Sequence, residues 1–539
     1  MAPGAAFCAI LAALCLFLLW PVLALLEKSF FTAGQFAGLD FFRQFIATPG
    51  LPIALRNTLC TGLAVTAATL PLSFLLAYAF TNTRFKGRGP GRSLALLPLF
   101  IPSFLPAIGL IYLFGAQGLA SSFLGEIPLY GPLGVFLGCL IFSLPHALLP
   151  LITALEDIDP ALYVAARTLG AGPWRRFWRI TLPGARYGLI SSGIVTFVLS
   201  ITDFGVPKVL GGDFSMLSTE IFKQIIGMQN FNLGATVSLV LLLPCLPAFL
   251  IDRLARRRQR FKRSGQFTLP AASGARDAAF TALGWFALLL PVLVVGVVIW
   301  GSFVTFWPYE LEPGLANYDF GQTIYGLAPL GSSLLLAGCT ALGGVVFIFC
   351  GSYLAERCHL PRFLKACYRL LAMLPLALPG TVLGLAYVFA FNNPHPPWQA
   401  FYGTIPFLAC NCVVHFYTVC HFTFSGSLSR LDPNYESAGA CLGASRLRTF
   451  RYVIVPMQNR TIADVAFYLF VNALTTVSAV IFLYAPGSPP ASVAILQMLD
   501  SGALAQASAM GTLLLLSALL ALFFRRLPGL VLKRFKGER

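Results

Sequence analysis

The sequence predicts an all-α polytopic membrane protein, with about twelve transmembrane helices arranged as two parallel six-helix repeats. Three observations carry this reading. Of 539 residues, 57% are hydrophobic and only 11% charged, against about 25% charged in an average globular chain. The basic residues are banked into short windows between long apolar stretches. One half of the chain also recurs in the other. So few charges could not keep a particle of this size dissolved. The 13 cysteines lie mostly inside apolar runs, which excludes a secreted disulfide framework.

A membrane-crossing helix needs about 20 apolar residues to cover about 30 Å of hydrocarbon. Twelve stretches qualify: 7–26, 55–80, 94–115, 131–154, 187–204, 234–251, 279–303, 331–354, 367–391, 402–424, 462–484 and 509–524. The first lacks the basic start and cleavage site of a signal peptide and reads as a retained helix. The net charge is +17, and 32 of the 37 Lys and Arg fall in six windows: 84–92, 167–186, 253–276, 357–369, 430–460 and 525–539. With the N-terminus inside, all six windows face the cytoplasm, which is the positive-inside pattern. Nucleic acid would need a continuous basic face instead. The expected location is a bacterial inner membrane, with both termini cytoplasmic.

The repeat is explicit. Leu94–Pro98 with Pro102 recurs as Leu371–Pro375 with Pro379, and Asp159-Pro160 recurs as Asp432-Pro433. Leu169-Gly170-Ala171 recurs as Leu442-Gly443-Ala444, and Pro183 as Pro456, at an offset of 273. Residues 1–252 form the first half, 253–278 a basic linker, 279–526 the second half and 527–539 a basic tail. Six spans per half give both halves one orientation, with a pathway expected between them.

Between the fourth and fifth spans of each half lies a segment of about 30 residues, 156–186 and 429–461. In the first, Asp159 is a good N-cap, Pro160 suits the first helical position and Gly170 can take the left-handed turn that ends a helix. Leu162, Ala165, Ala166 and Leu169 fall on one face. A short surface helix with a small-residue face follows, repeated at 432–443.

At these residues the chain resembles the inner-membrane permeases of binding-protein-dependent ABC importers, type I fold, in the fused form that carries both halves. Their signature is Glu-Ala-Ala, three residues, Gly, nine residues, Ile-x-Leu-Pro. Ala165, Ala166, Gly170, Ile180, Leu182 and Pro183 match it, with Val164 where the family has Glu. Ala438, Gly443 and Pro456 match in the second half, where Ser437 replaces the Glu and Glu436 stands one residue early. The resemblance implies that each short helix couples to a cytoplasmic ATPase, through Asp159, Pro160, Ala165, Ala166, Gly170, Pro183, Asp432, Pro433, Ala438, Gly443 and Pro456. It implies two ATPase copies and an extracytoplasmic solute-binding protein as partners, with membrane lipid around the spans. No Gly-Lys pair occurs in the sequence, so there is no P-loop. ATP and Mg belong to the partner, and the chain itself is read as carrying no cofactor and no catalytic residue.

Ionisable and polar groups at membrane depth are functional candidates. Thr202 and Asp203, with Asn472, Thr475 and Thr476 in the second half, are candidate pathway residues. The plain alternative for Asp203 is a turn cap or a partner for Lys208. Arg56-Asn57 reads as an interfacial anchor, and Asp464 as facing water. Cys410, Cys412, His415, Cys420 and His421 lack the paired loop spacing of a structural zinc site, so no metal is assigned. His146, His359 and His395 are isolated. The stretches 202–212 and 218–231 look most like permeases for 2-aminoethylphosphonate. Ferric iron comes next, then thiamine or polyamine. A twelve-span secondary transporter is the rival class, but the loop at 83–89 lacks its acidic residue. A membrane enzyme is the weaker third.

Overall fold

The computed structural model describes residues 3–32, 35–125, 127–258, 274–392 and 398–536. Part of the linker (259–273), the last three residues of the tail and His395 lie outside them. The described residues are mostly helical, with turns between the helices and two short strand pairs, Phe31–Thr32 with Gln35–Phe36 and the antiparallel Val304–Phe306 with Glu310–Pro313.

Among the described residues, eight helices are long and apolar enough to cross a bilayer: Gly4–Phe30, Gly50–Asn82, Pro132–Glu156, Pro173–Thr202, Phe231–Ile251, Gly274–Gly301, Ala328–Arg357 and Leu504–Arg525. Two further spans are bent pairs, Arg362–Ala377 with Gly380–Phe391 (116°) and Ile405–His415 with Tyr417–Leu428 (58°). The third expected span is broken in the same manner as the ninth. Helix Arg88–Ala95 runs through a 3₁₀ turn, Leu97–Phe100, into Leu105–Phe114. The matching turn is Leu374–Ala377, 277 residues on. Pro98 and Pro375 remove a backbone donor and clash with the preceding turn, so each helix stops there.

Two expected boundaries move. The fifth span begins at Pro173, because the basic segment 173–181 is helical and continuous with it. The eleventh ends at Thr475, where Thr476 turns extended (φ −68°, ψ 138°), and 477–484 is a series of turns. A short helix the sequence reading missed, Ala491–Asp500, follows.

The chain forms two compact units, and they cut it differently from the repeat. One unit comprises Gln35–Asp319 with Ile495–Thr512; the other comprises Met1–Gly34, Phe320–Ala494 and Leu513–Arg539. The first helix of each half therefore packs within the other half's bundle. In the first unit, Gly274–Gly301 lies against Gly50–Asn82, Arg88–Ala95 and Leu105–Phe114. A Cβ at Gly109 would meet the Val294 carbonyl oxygen, so only glycine permits that backbone approach. In the second unit, the N-terminal helix lies against Gly380–Phe391. The Tyr387 hydroxyl donates to the Phe17 carbonyl at 2.6 Å, and the rings of Trp20 and Phe391 meet edge-on at 5.3 Å.

The second unit buries a polar cluster. Ser352 Oγ and His421 Nδ1 lie 2.8 Å apart and the Tyr368 and Tyr417 hydroxyls 2.9 Å apart, all four side chains buried. His421 and Cys420 are thus built into helix packing. Among the described residues, no three of His, Cys, Asp or Glu gather as a metal set.

Candidate functional site

The two loops after the fourth spans follow the same backbone path and share the bonds that cap and close their short helices. In the first, the Asp159 carboxylate accepts from the Ala161 N–H at 2.9 Å, and helix Pro160–Thr168 begins at the proline. At its end Gly170 is left-handed (φ +73°). Its N–H donates to Arg167, and the Ala171 N–H donates to Ala166. That pair of bonds is a Schellman closure, which satisfies carbonyls the helix would leave unpaired. In the second loop, the Asp432 carboxylate accepts from the Asn434 N–H at 3.0 Å, and helix Asn434–Cys441 follows. Gly443 (φ +71°) donates to Ala440, and Ala444 to Gly439. Each loop then makes one more turn of α-helix and a π-turn, Phe177–Thr181 and Phe450–Ile454, again 273 residues apart. Pro183 and Pro456 sit in the first turn after each π-turn.

Neither short helix buries a residue fully. In the first, Tyr163 and Ala166 turn toward the body of the protein, while Leu162, Ala165 and Leu169 face out. Leu169 and its counterpart Leu442 are each 86% exposed at the C-caps of their helices. The repeat therefore places a bulky apolar side chain at the same exposed position of each loop.

The helices are fastened by different chemistry. The Tyr163 hydroxyl lies 2.9 Å from Thr181 Oγ1 and accepts from the Asn82 amide at 3.4 Å. Burial raises the Tyr163 phenol above its ordinary pKa, so it stays neutral. Glu436 stands at the equivalent position. It takes a two-bond fork from Arg357 (Nε to Oε1 2.8 Å, Nη2 to Oε2 2.6 Å), and the same guanidinium donates to the Leu431 and Asp432 carbonyls. The glutamate that stands one residue early in the signature therefore faces inward. Sequence reading gave its position but not its partner, which is 79 residues away.

The candidate pathway residues sit where the fifth and eleventh spans end. Thr202, Thr475 and Asn472 each return a polar hydrogen to a carbonyl four residues back on their own helix. Asp203 is buried, and its carboxylate is ringed by the Ser103 hydroxyl and the N–H groups of Phe204, Gly205 and Val206. It caps a turn, as the plain reading expected. Its suggested partner Lys208 instead pairs with Asp500 at 3.1 Å. One bond is conserved across the repeat: Ser218 donates to the Asp203 carbonyl at 2.6 Å, and Ser492 to the Thr476 carbonyl at 2.7 Å. Of the interfacial pair, Arg56 is exposed, but Asn57 is buried and donates to the Ser215 carbonyl. Asp464 is partly exposed and receives Arg525 at 2.6 Å.

Two structurally duplicated loops, each set between apolar spans of an all-α bundle, define a membrane permease of the importer class in fused form. The chain belongs to the family described as "Binding-protein-dependent transport system inner membrane component", which matches it twice, over residues 69–261 and 347–536. It is similar to the ferric transport system permease protein FbpB of Actinobacillus pleuropneumoniae, at 27% identity over 94% of this chain and 75% of that one. A putative ferric transport system permease protein of Haemophilus influenzae is 28% identical over 87% of this chain and 76% of its own length. The putative 2-aminoethylphosphonate transport system permease protein PhnU of Salmonella typhi is 27% identical, over 46% of this chain and 89% of its own.

Proposed function

We propose that the chain is the permease subunit of an ATP-driven importer of ferric iron. It works with a separate cytoplasmic ATPase, two copies per transporter, and an extracytoplasmic solute-binding protein. The observation that carries this reading is coverage. Relatives with ferric names align across both halves, whereas those with 2-aminoethylphosphonate names align with one. The resemblance of 202–212 and 218–231 to phosphonate permeases supports 2-aminoethylphosphonate as the second reading.

In this reading the helices Pro160–Thr168 and Asn434–Cys441 are the feet on which the ATPases act. The Asp caps and Gly closures keep each foot short and rigid, and Leu169 and Leu442 enter the partner. Thr202, Asp203, Asn472, Thr475 and Thr476 are the pathway candidates. The feet, the basic windows and both termini face the cytoplasm of an inner membrane. ATP and Mg are bound by the partner, and iron is cargo.

The test is uptake in cells lacking their own ferric permease, with the chain expressed beside its ATPase and binding protein. ATP-dependent accumulation of radiolabelled ferric iron is expected. Growth on 2-aminoethylphosphonate as sole phosphorus source, without iron uptake, would select the second reading. Uptake that needs no ATPase would overturn both.

A further inference from the structure

We infer that helix Arg362–Met373 of the second half is a docking surface for acidic phospholipid headgroups, in the leaflet on the side of the coupling loops. Its place is fixed by connectivity: it starts five residues after Arg357, whose guanidinium is bonded to Glu436 in the second loop. One face, Tyr368, Leu371 and Ala372, is buried. The opposite face carries Arg362, Phe363, Ala366, Arg369 and Leu370, with Phe363 75% and Leu370 67% exposed. Apolar and cationic groups sharing one exposed face suit the boundary between headgroups and acyl chains, where the rings and leucines enter the lipid and the cations meet phosphate.

The repeat supplies an internal control. In the first half, Lys86, just before the counterpart helix Arg88–Ala95, and Ser93 within it stand where the second half has Phe363 and Leu370. The two cations of helix Arg88–Ala95 share one carboxylate: Glu156 receives Arg92 at 2.7 Å and Arg88 at 3.7 Å. Lys365 and Arg369 stand at the equivalent positions of the second half, but Ser429 replaces the glutamate. Among the described residues Arg362 and Lys365 form no ion pair, and Arg369 reaches only Glu356, at 3.7 Å. Two cations without an ion pair among the described residues, with Arg369 beside them and two bulky apolar groups on the exposed face, fit a lipid, which supplies both the anion and the chains. A soluble anion would leave Phe363 and Leu370 without a purpose. This inference does not depend on which solute is carried.

The test uses the purified full chain in mixed micelles of equal phosphatidylglycerol and phosphatidylcholine, with retained lipid counted by native mass spectrometry. Wild type should retain phosphatidylglycerol preferentially. Arg362→Gln, an exposed change that breaks no bond, should reduce that preference by roughly five-fold, and adding Lys365→Gln should bring it near parity. Phe363→Ser with Leu370→Ser should lower retention of phosphatidylglycerol as well. Four results would overturn the inference: parity in wild type, full preference in the Gln variants, displacement of the lipid by inorganic phosphate, or its displacement by the ATPase partner.

Discussion

Arg357 and Glu436 form a two-bond fork that ties the second loop to the end of the eighth span, at a position where the first loop uses only the neutral hydroxyl of Tyr163. The two feet share a backbone and differ in fastening. The guanidinium side chain is only 10% exposed, so removing its partner leaves a poorly hydrated charge.

Glu436→Gln should therefore loosen the second loop by about 2 kcal/mol. Hydrogen exchange over residues 432–444 should accelerate, while 159–171 keeps its wild-type protection. Equal acceleration in both loops would show that the fork is not a local fastener.

Gly170→Asp or Gly443→Asp forces a side chain into the left-handed region, at a cost of roughly 1–2 kcal/mol. It also places a carboxylate at the C-terminus of a helix, which is the unfavourable end for an anion. Both variants should insert in the membrane at normal levels and fail to transport. Wild-type uptake by either would count against a coupling role for that foot.

Asp159→Ala and Asp432→Ala remove equivalent caps. Each should cost about 1 kcal/mol of local helix stability, read as a few-fold fall in ATP-driven uptake. The double variant should fall by the product of the two, because the sites share no partner.

Leu169→Asp and Leu442→Asp touch no buried contact, so thermal unfolding should stay within about 0.5 kcal/mol of wild type. Co-purification of the ATPase should drop sharply, and more in the double variant than in either single. Retained ATPase with lowered thermal stability would mean that the leucines serve the fold instead.

The feet were legible residue by residue, because caps and turn glycines act within five positions of themselves: Asp159, Pro160 and Gly170 do what their chemistry requires. Ten of the twelve expected spans were legible for a similar reason, since length and apolarity are local; 94–115 and 462–484 contain no helix long enough to cross, because each is interrupted by a turn. What escaped depends on distance. Tyr163 turns inward because Thr181 and Asn82 wait there, and only the folded chain brings Asn82 near. Helix Ala491–Asp500 follows Pro489-Pro490, and that pair reads as loop. The grouping of each half's first helix with the other half's bundle left no trace in periodicity, because a lipid-facing stripe and a helix-facing stripe are both apolar.

The bond from Tyr387 to Phe17 spans 370 residues. A ribosome adding about 5–20 residues per second needs roughly half a minute to cover that interval. The helix that carries Phe17 therefore idles beside lipid until its partner in the second half has been made, and the two halves cannot be completed one at a time.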